Sequence, residues 1–88
     1  MKKLQTNYED YPNFIETGTY KGGTIFNMED YFSSLYTIEI KKEFYDNVKS
    51  KYQGDKIKFY HGNSGDVLND ILPSITGKTM IFLDRHWN

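Results

Sequence analysis

Two glutamates set among glycines are the residues with which this chain could do chemistry. The stretch ETGTYKGGT, at 16–24, follows the apolar pair Phe14 and Ile15 and precedes Ile25, Met28 and Phe32 at helical spacing. That order reads as strand, glycine turn and helix start, the arrangement by which parallel α/β proteins hold the carboxylate or phosphate end of a nucleotide-like cofactor. Gly18 lets the chain turn sharply out of the strand, and Gly22 and Gly23 remove side chains where backbone must approach a ligand or a neighbouring helix. Thr24 then offers a first-turn hydroxyl to cap the helix or reach a ligand. A second acid, Glu39, closes the β-branched run LYTIEI twenty-three residues after Glu16. In a strand-helix-strand unit an acid at that point faces the crevice where a ribose diol would lie. A carboxylate accepting from two hydroxyls gains charge-assisted bonds of about 1.5–3 kcal/mol each. The plain alternative for Glu39 is a solvated ion pair with Lys41 or Lys42, contributing about 0–1 kcal/mol; for Glu16 it is acceptance of backbone N–H groups from the turn.

These groups need elements to position them. Residues 1–12, MKKLQTNYEDYP, read as an irregular lead-in, and Pro12 disfavours helix at Tyr11. A first strand is expected over 13–17 and a first helix over 25–34, with Ile25, Met28, Tyr31 and Phe32 inward. A second strand is expected over 35–40 and a second helix over 42–52, with Phe44, Val48 and Tyr52 facing the sheet. A third strand over 57–60 leads into HGNS at 61–64, a turn into a helix capped by Asn63 or Ser64. His61 reads as a plain strand-end residue. The third helix carries Val67, Leu68, Ile71, Leu72 and Ile75 on its apolar face and stops around 73–77. TMIFL, at 79–83, is a short unbroken apolar run, the mark of a strand buried on both faces. Right-handed crossovers then give an α/β fold, a Rossmann-like parallel sheet of four strands in the order 3-2-1-4 with helices on both faces. The fourth strand becomes an open, apolar edge, which proteins normally avoid. The expectation is that 13–88 forms the N-terminal, cofactor-binding half of a larger domain, and that the edge pairs with a partner or a second copy if exposed.

Composition narrows the partners. Eighty-eight residues, 38% hydrophobic and 17% aromatic, can pack one domain. Eleven basic and twelve acidic residues leave a formal charge of -1 with no basic face for nucleic acid. The absence of cysteine excludes disulfides and thiolate metal sites and fits a reducing compartment. No apolar run reaches signal-peptide or membrane-span length, so a cytoplasmic protein that does not enter a membrane is expected.

The motifs taken together resemble the class I S-adenosylmethionine-dependent methyltransferases, and among them the O-methyltransferases of the catechol O-methyltransferase type. That family opens with an acid-x-Gly-x-Tyr-x-Gly-x-Ser/Thr turn, matched by Glu16, Gly18, Tyr20, Gly22 and Thr24. Its second strand ends in a TIE-type triplet, matched by Thr37, Ile38 and Glu39, and its third is followed by a Gly-x-Ser turn, matched by Gly62 and Ser64. A Phe-Leu-Asp run closes its fourth strand, matched by Phe82, Leu83 and Asp84, with His86 and Trp87 close behind. The resemblance spans 14–87. It implies one half of a seven-stranded domain binding S-adenosylmethionine and passing a methyl group to an oxygen of a small-molecule acceptor. The turn at 18–22 would pass under the methionine moiety, walled by Tyr20, with Thr24 near its carboxylate. Glu39 would take the ribose hydroxyls, and Gly62 and Ser64 would border the adenine. Asp84 would face the reactive end and, in metal-dependent members, ligate Mg²⁺; His86 would face the acceptor. Departures are Asn63, where many relatives carry an acid, and Arg85, which separates Asp84 from His86. No match is present for the family's catalytic lysine or its other metal ligands.

Two other readings stand beside this one. A nicotinamide or flavin dinucleotide-binding domain shares the strand-turn-helix and the second-strand acid, but Gly18-x-x-x-Gly22-Gly23 lacks the second glycine of G-x-G-x-x-G and Tyr20 would crowd a pyrophosphate. An inactive relic or an interaction module using its fourth strand is the reading without an enzyme.

Overall fold

The computed structural model describes residues 11–18 and 22–83. Four strands form one parallel sheet: β1 (Asn13–Thr17), β2 (Ser34–Glu39), β3 (Ile57–His61) and β4 (Thr79–Leu83), in the order β3-β2-β1-β4. Between them lie α1 (Gly23–Met28), α2 (Lys42–Lys51) and α3 (Ser64–Ile71); 3-10 turns at Glu29–Tyr31 and Leu72–Ser74 extend the first and third. The Rossmann-like α/β order expected from the sequence is the one observed. Among the described residues no helix is long and apolar enough to cross a membrane.

Two hydrophobic layers sandwich the sheet. On one face Phe14, Leu35 and Ile57, register neighbours on β1, β2 and β3, pack with Ile25 of α1, Phe32 and the half-buried Tyr52. On the other, Ile15 and Ile38 pack against Ile71, Val67 and Leu68 of α3. The alternation along each strand thus sends α1 and α2 to one side and α3 to the other, which places a topological switch between β1 and β4. The Asn13 side-chain amide fixes that switch from below, donating to the Thr76 carbonyl at 2.8 Å and so tying the approach to β4 onto β1.

The ends of the helices differ from expectation for local reasons. α1 begins at Gly23 because Gly22, at φ 87°, serves as its N-cap, with the Phe26 N–H donating to the Gly22 carbonyl at 3.0 Å. A Cβ on Gly22 would stand 2.8 Å from Phe26 Cε2 and 3.1 Å from Val48 Cγ1, so both backbone angle and space demand glycine. Gly23 does not share this role, since a Cβ there would meet nothing within 4 Å. Thr24 makes no capping bond, and its side chain is half-exposed. α1 stops early because the amides of Ser33 and Ser34 donate to the Pro12 carbonyl at 2.9 and 3.1 Å, drawing the chain into β2. Asn63, rather than Ser64, caps α3, its Oδ1 accepting from the amides of Gly65 and Asp66 at 2.8 and 3.3 Å.

Expectations of burial are overturned in three places. β4 is not buried on both faces: Ile81, Phe82 and Leu83 are 45%, 44% and 66% exposed. The cause is position, because β4 lies at the edge of the sheet and the core residue of α3, Ile71, packs over β1 and β2. Tyr31 and Leu72, expected inward, are also exposed, since each falls in a 3-10 turn where the helical phase is lost.

Candidate functional site at the carboxyl ends of the strands

The rim is built where β1, β2 and β3 end. Beyond β1 the Gly18 N–H still donates to the Ile38 carbonyl at 2.8 Å, and beyond β3 the Gly62 N–H donates to the Glu39 carbonyl at 2.9 Å. Both glycines therefore turn while bonded to β2, and Gly18 does so at φ 85°, where a side chain would be strained. Thr17, Gly18, Ile40, Gly62, Asn63 and Ser64 line a depression between the two turns. It offers about 20 Å³, room for roughly one water.

Glu16 and Glu39 come to the same end and the same face. Glu16 is the register partner of Thr37, and Glu39, two residues further along β2, points to the same side as Thr37. All three are inside the protein, with exposures of 1% for Glu16, 0% for Thr37 and 2% for Glu39. The Thr37 hydroxyl donates to Glu16 Oε1 at 3.1 Å, and Glu39 Oε2 accepts from the Lys41 amide at 3.0 Å. The solvated ion pair considered for Glu39 is thereby excluded, because the carboxylate is buried. Lys42 instead bridges Asp46 at 2.9 Å on the surface of α2, where that hydrogen bond holds its ammonium pKa above the ordinary value. For Glu16 the observed partner is a side-chain hydroxyl from the next strand.

The other expected residues fall as follows. Gly62 and Ser64 line the depression, with Ser64 half-exposed at the start of α3. Gly22 and Thr24 belong to the start of α1 and are not among the residues lining it. His61 is exposed, its Nε2 lying 3.2 Å from the Ile40 carbonyl and its ring 5.5 Å from that of Tyr45, as a plain strand-end residue would be. Tyr20, Asp84 and His86 lie outside the described residues. Among the described residues no group of three or more His, Asp or Glu side chains is placed to hold a metal ion. Sequence reasoning missed Thr17 and Ile40 as lining residues and Thr37 as the partner of Glu16. Only the register of β1 on β2 could have revealed that last pair.

No protein-family model, no curated protein and no solved structure matches this chain. The fold and the rim define a class, a small α/β domain of Rossmann-like build with a parallel four-stranded sheet ordered 3-2-1-4.

Proposed function

We propose that the carboxyl-end rim of β1, β2 and β3 binds S-adenosylmethionine, and that the chain is the cofactor-binding portion of a methyltransferase acting on an oxygen of a small molecule. The observation that carries this reading is the convergence of Glu16 and Glu39 on one face, at one end of adjacent strands, beside the left-handed turn at Gly18. In sheets of this order ligands lie outside the carboxyl ends of the strands near the switch point. Glu39 takes the ribose hydroxyls, and Gly62 and Ser64 border the adenine. The turn begun at Gly18 runs beneath the methionine moiety, with Thr24 toward its carboxylate. Glu16, through Thr37, ties β1 to β2 beneath that turn.

The donor chemistry suits an adenosyl group, but the closed rim does not yet supply the space. Small-molecule pockets enclose roughly 300–1,000 Å³, against about 20 Å³ here. Glu16 and Glu39 do not line that depression, and Glu39 is 2% exposed, so on this reading a bound cofactor must displace the chain that covers Glu39. When bound, the cofactor supplies an electrophilic methyl group; the described residues hold and orient it. The roles that the resemblance gives Tyr20, Asp84 and His86, including any Mg²⁺ at Asp84, belong to this proposal and draw no support from the described residues.

Calorimetric titration with S-adenosylhomocysteine and with NAD⁺ tests the reading. The former is expected to bind and the latter to bind more weakly; the reverse order would favour a dinucleotide site. Glu39→Gln is expected to weaken S-adenosylhomocysteine at least tenfold, equivalent to about 1.4 kcal/mol, while circular dichroism stays unchanged. Unaltered affinity in a folded variant would remove Glu39 from the site.

A further inference from the structure

The two edges of the sheet are treated differently by the sequence. β3 places Lys58, exposed, in mid-strand and ends on the exposed His61, whereas β4 carries only Thr79, Met80, Ile81, Phe82 and Leu83. A charged residue on an edge strand deters further pairing, and an uncharged apolar one invites it. The backbone of β4 shows which groups are available. Asn13 is the register partner of Thr79, and its N–H donates to the Lys78 carbonyl at 3.3 Å, so residues 78, 80 and 82 turn their backbone groups toward β1. By the alternation of a strand, Thr79, Ile81 and Leu83 turn theirs outward.

We infer that β4 pairs antiparallel with β4 of a second copy of this chain, about a two-fold axis at Ile81, making one continuous eight-stranded sheet. A two-fold pairing must be self-complementary, and this register is. It sets Ile81 against Ile81, Thr79 against Leu83 and Met80 against Phe82, and it engages all three outward-turned residues of each strand. Ile81, Phe82 and Leu83, at 45%, 44% and 66% exposure, become cross-strand partners in place of surface. Shifting the register by two residues leaves only two of the three outward-turned residues of each strand paired. With a formal charge of -1 per chain, long-range repulsion does not oppose association. The inference rests on the β4 edge and is independent of any ligand at the rim.

Sedimentation equilibrium and single-cysteine cross-linking test it, the latter made clean by the absence of native cysteine. The chain is expected to sediment at twice its 10.4 kDa at high micromolar concentration. Ile81→Cys should form a dithiothreitol-reversible dimer on mild oxidation, because hydrogen-bonded antiparallel partners lie about 5.5 Å apart at Cα, within disulfide reach. Thr79→Cys alone should not cross-link, whereas mixing it with Leu83→Cys should. Ile81→Lys, folded by circular dichroism, should sediment as a monomer. A monomeric parent chain, mass that grows without limit on concentration, cross-linking of Thr79→Cys alone as readily as Ile81→Cys, or a folded Ile81→Lys that stays dimeric would each overturn the pairing.

Discussion

Thr37 and Glu16, register partners on neighbouring strands, share a hydrogen bond of 3.1 Å inside the protein, where neither side chain is more than 1% exposed. A buried carboxylate is tolerable only when donors offset its lost hydration, and the Thr37 hydroxyl is one of them. Through this bond the carboxyl end of β1 is fixed to β2, and with it the position of Gly18 relative to Glu39.

Thr37→Val keeps the β-branched shape and removes the donor. The expected cost is about 1.5–3 kcal/mol of unfolding free energy, the range for hydrogen bonds to charged groups, read as a lower urea midpoint at constant slope. A change below about 0.5 kcal/mol would show that the hydroxyl does not help hold the carboxylate.

Tyr52 is the corresponding tie at the other end of the sheet. Its hydroxyl donates to Glu29 Oε2 at 2.7 Å and accepts from the amides of Lys56 and Ile57 at 3.0 and 3.2 Å, joining the end of α2 to the start of β3 and to the turn after α1. Tyr52→Phe strands both amides, and a loss of about 1–3 kcal/mol is expected. Hydrogen exchange should reach the Lys56 and Ile57 amides faster in the variant; equal protection would show that other acceptors replace the phenol.

The same phenol makes the fold sensitive to alkali. Burial, then donation to Glu29, raises the Tyr52 pKa above 10.0, and burial beside Tyr36 raises that of Tyr60. Above pH 10 the unfolded chain releases these protons while the folded chain retains them, so the folded state binds more and its stability falls as pH rises. That contribution is full below pH 10 and is lost as pH passes through the raised values. Urea midpoints measured from neutrality upward should decline beyond about pH 10, and less steeply in Tyr52→Phe. An identical slope in the variant would exclude Tyr52 from the effect.

Asn63 is a helix cap, so Asn63→Ala should cost about 1 kcal/mol and Asn63→Asp should cost little or stabilise, given the positive end of the α3 dipole. Thermal melts of the two variants separate these outcomes. Equal melting would mean that the bonds to Gly65 and Asp66 are replaced by water.

Gly22→Ala combines a left-handed backbone at φ 87° with a Cβ 2.8 Å from Phe26 Cε2. A destabilisation of about 1–3 kcal/mol is expected, whereas Gly23→Ala, in open space within α1, should be neutral or stabilising by a few tenths of a kcal/mol to about 1 kcal/mol. A variant at Gly22 as stable as the parent would mean that Phe26 and Val48 give way freely.

What the sequence determined by itself was whatever depends on neighbours along the chain. Alternation and helical spacing placed β1, β4 and the start of α2 at their observed bounds, and the glycines and Pro12 marked the turns. Strand order followed as well, because right-handed crossovers leave few ways to arrange four strands and three helices. Tertiary structure decided what depends on register and on which strand lies outermost. TMIFL has the composition of a central strand, yet its exposure was set by its place beside β1 with no neighbour beyond it among the described residues. Glu39 carries the composition of a surface ion pair, yet the chain buried it and gave its Oε2 to the Lys41 amide. The partnership of Thr37 with Glu16 spans 21 positions and exists only because two strands align in one register, a property set by packing across the sheet rather than by either segment alone.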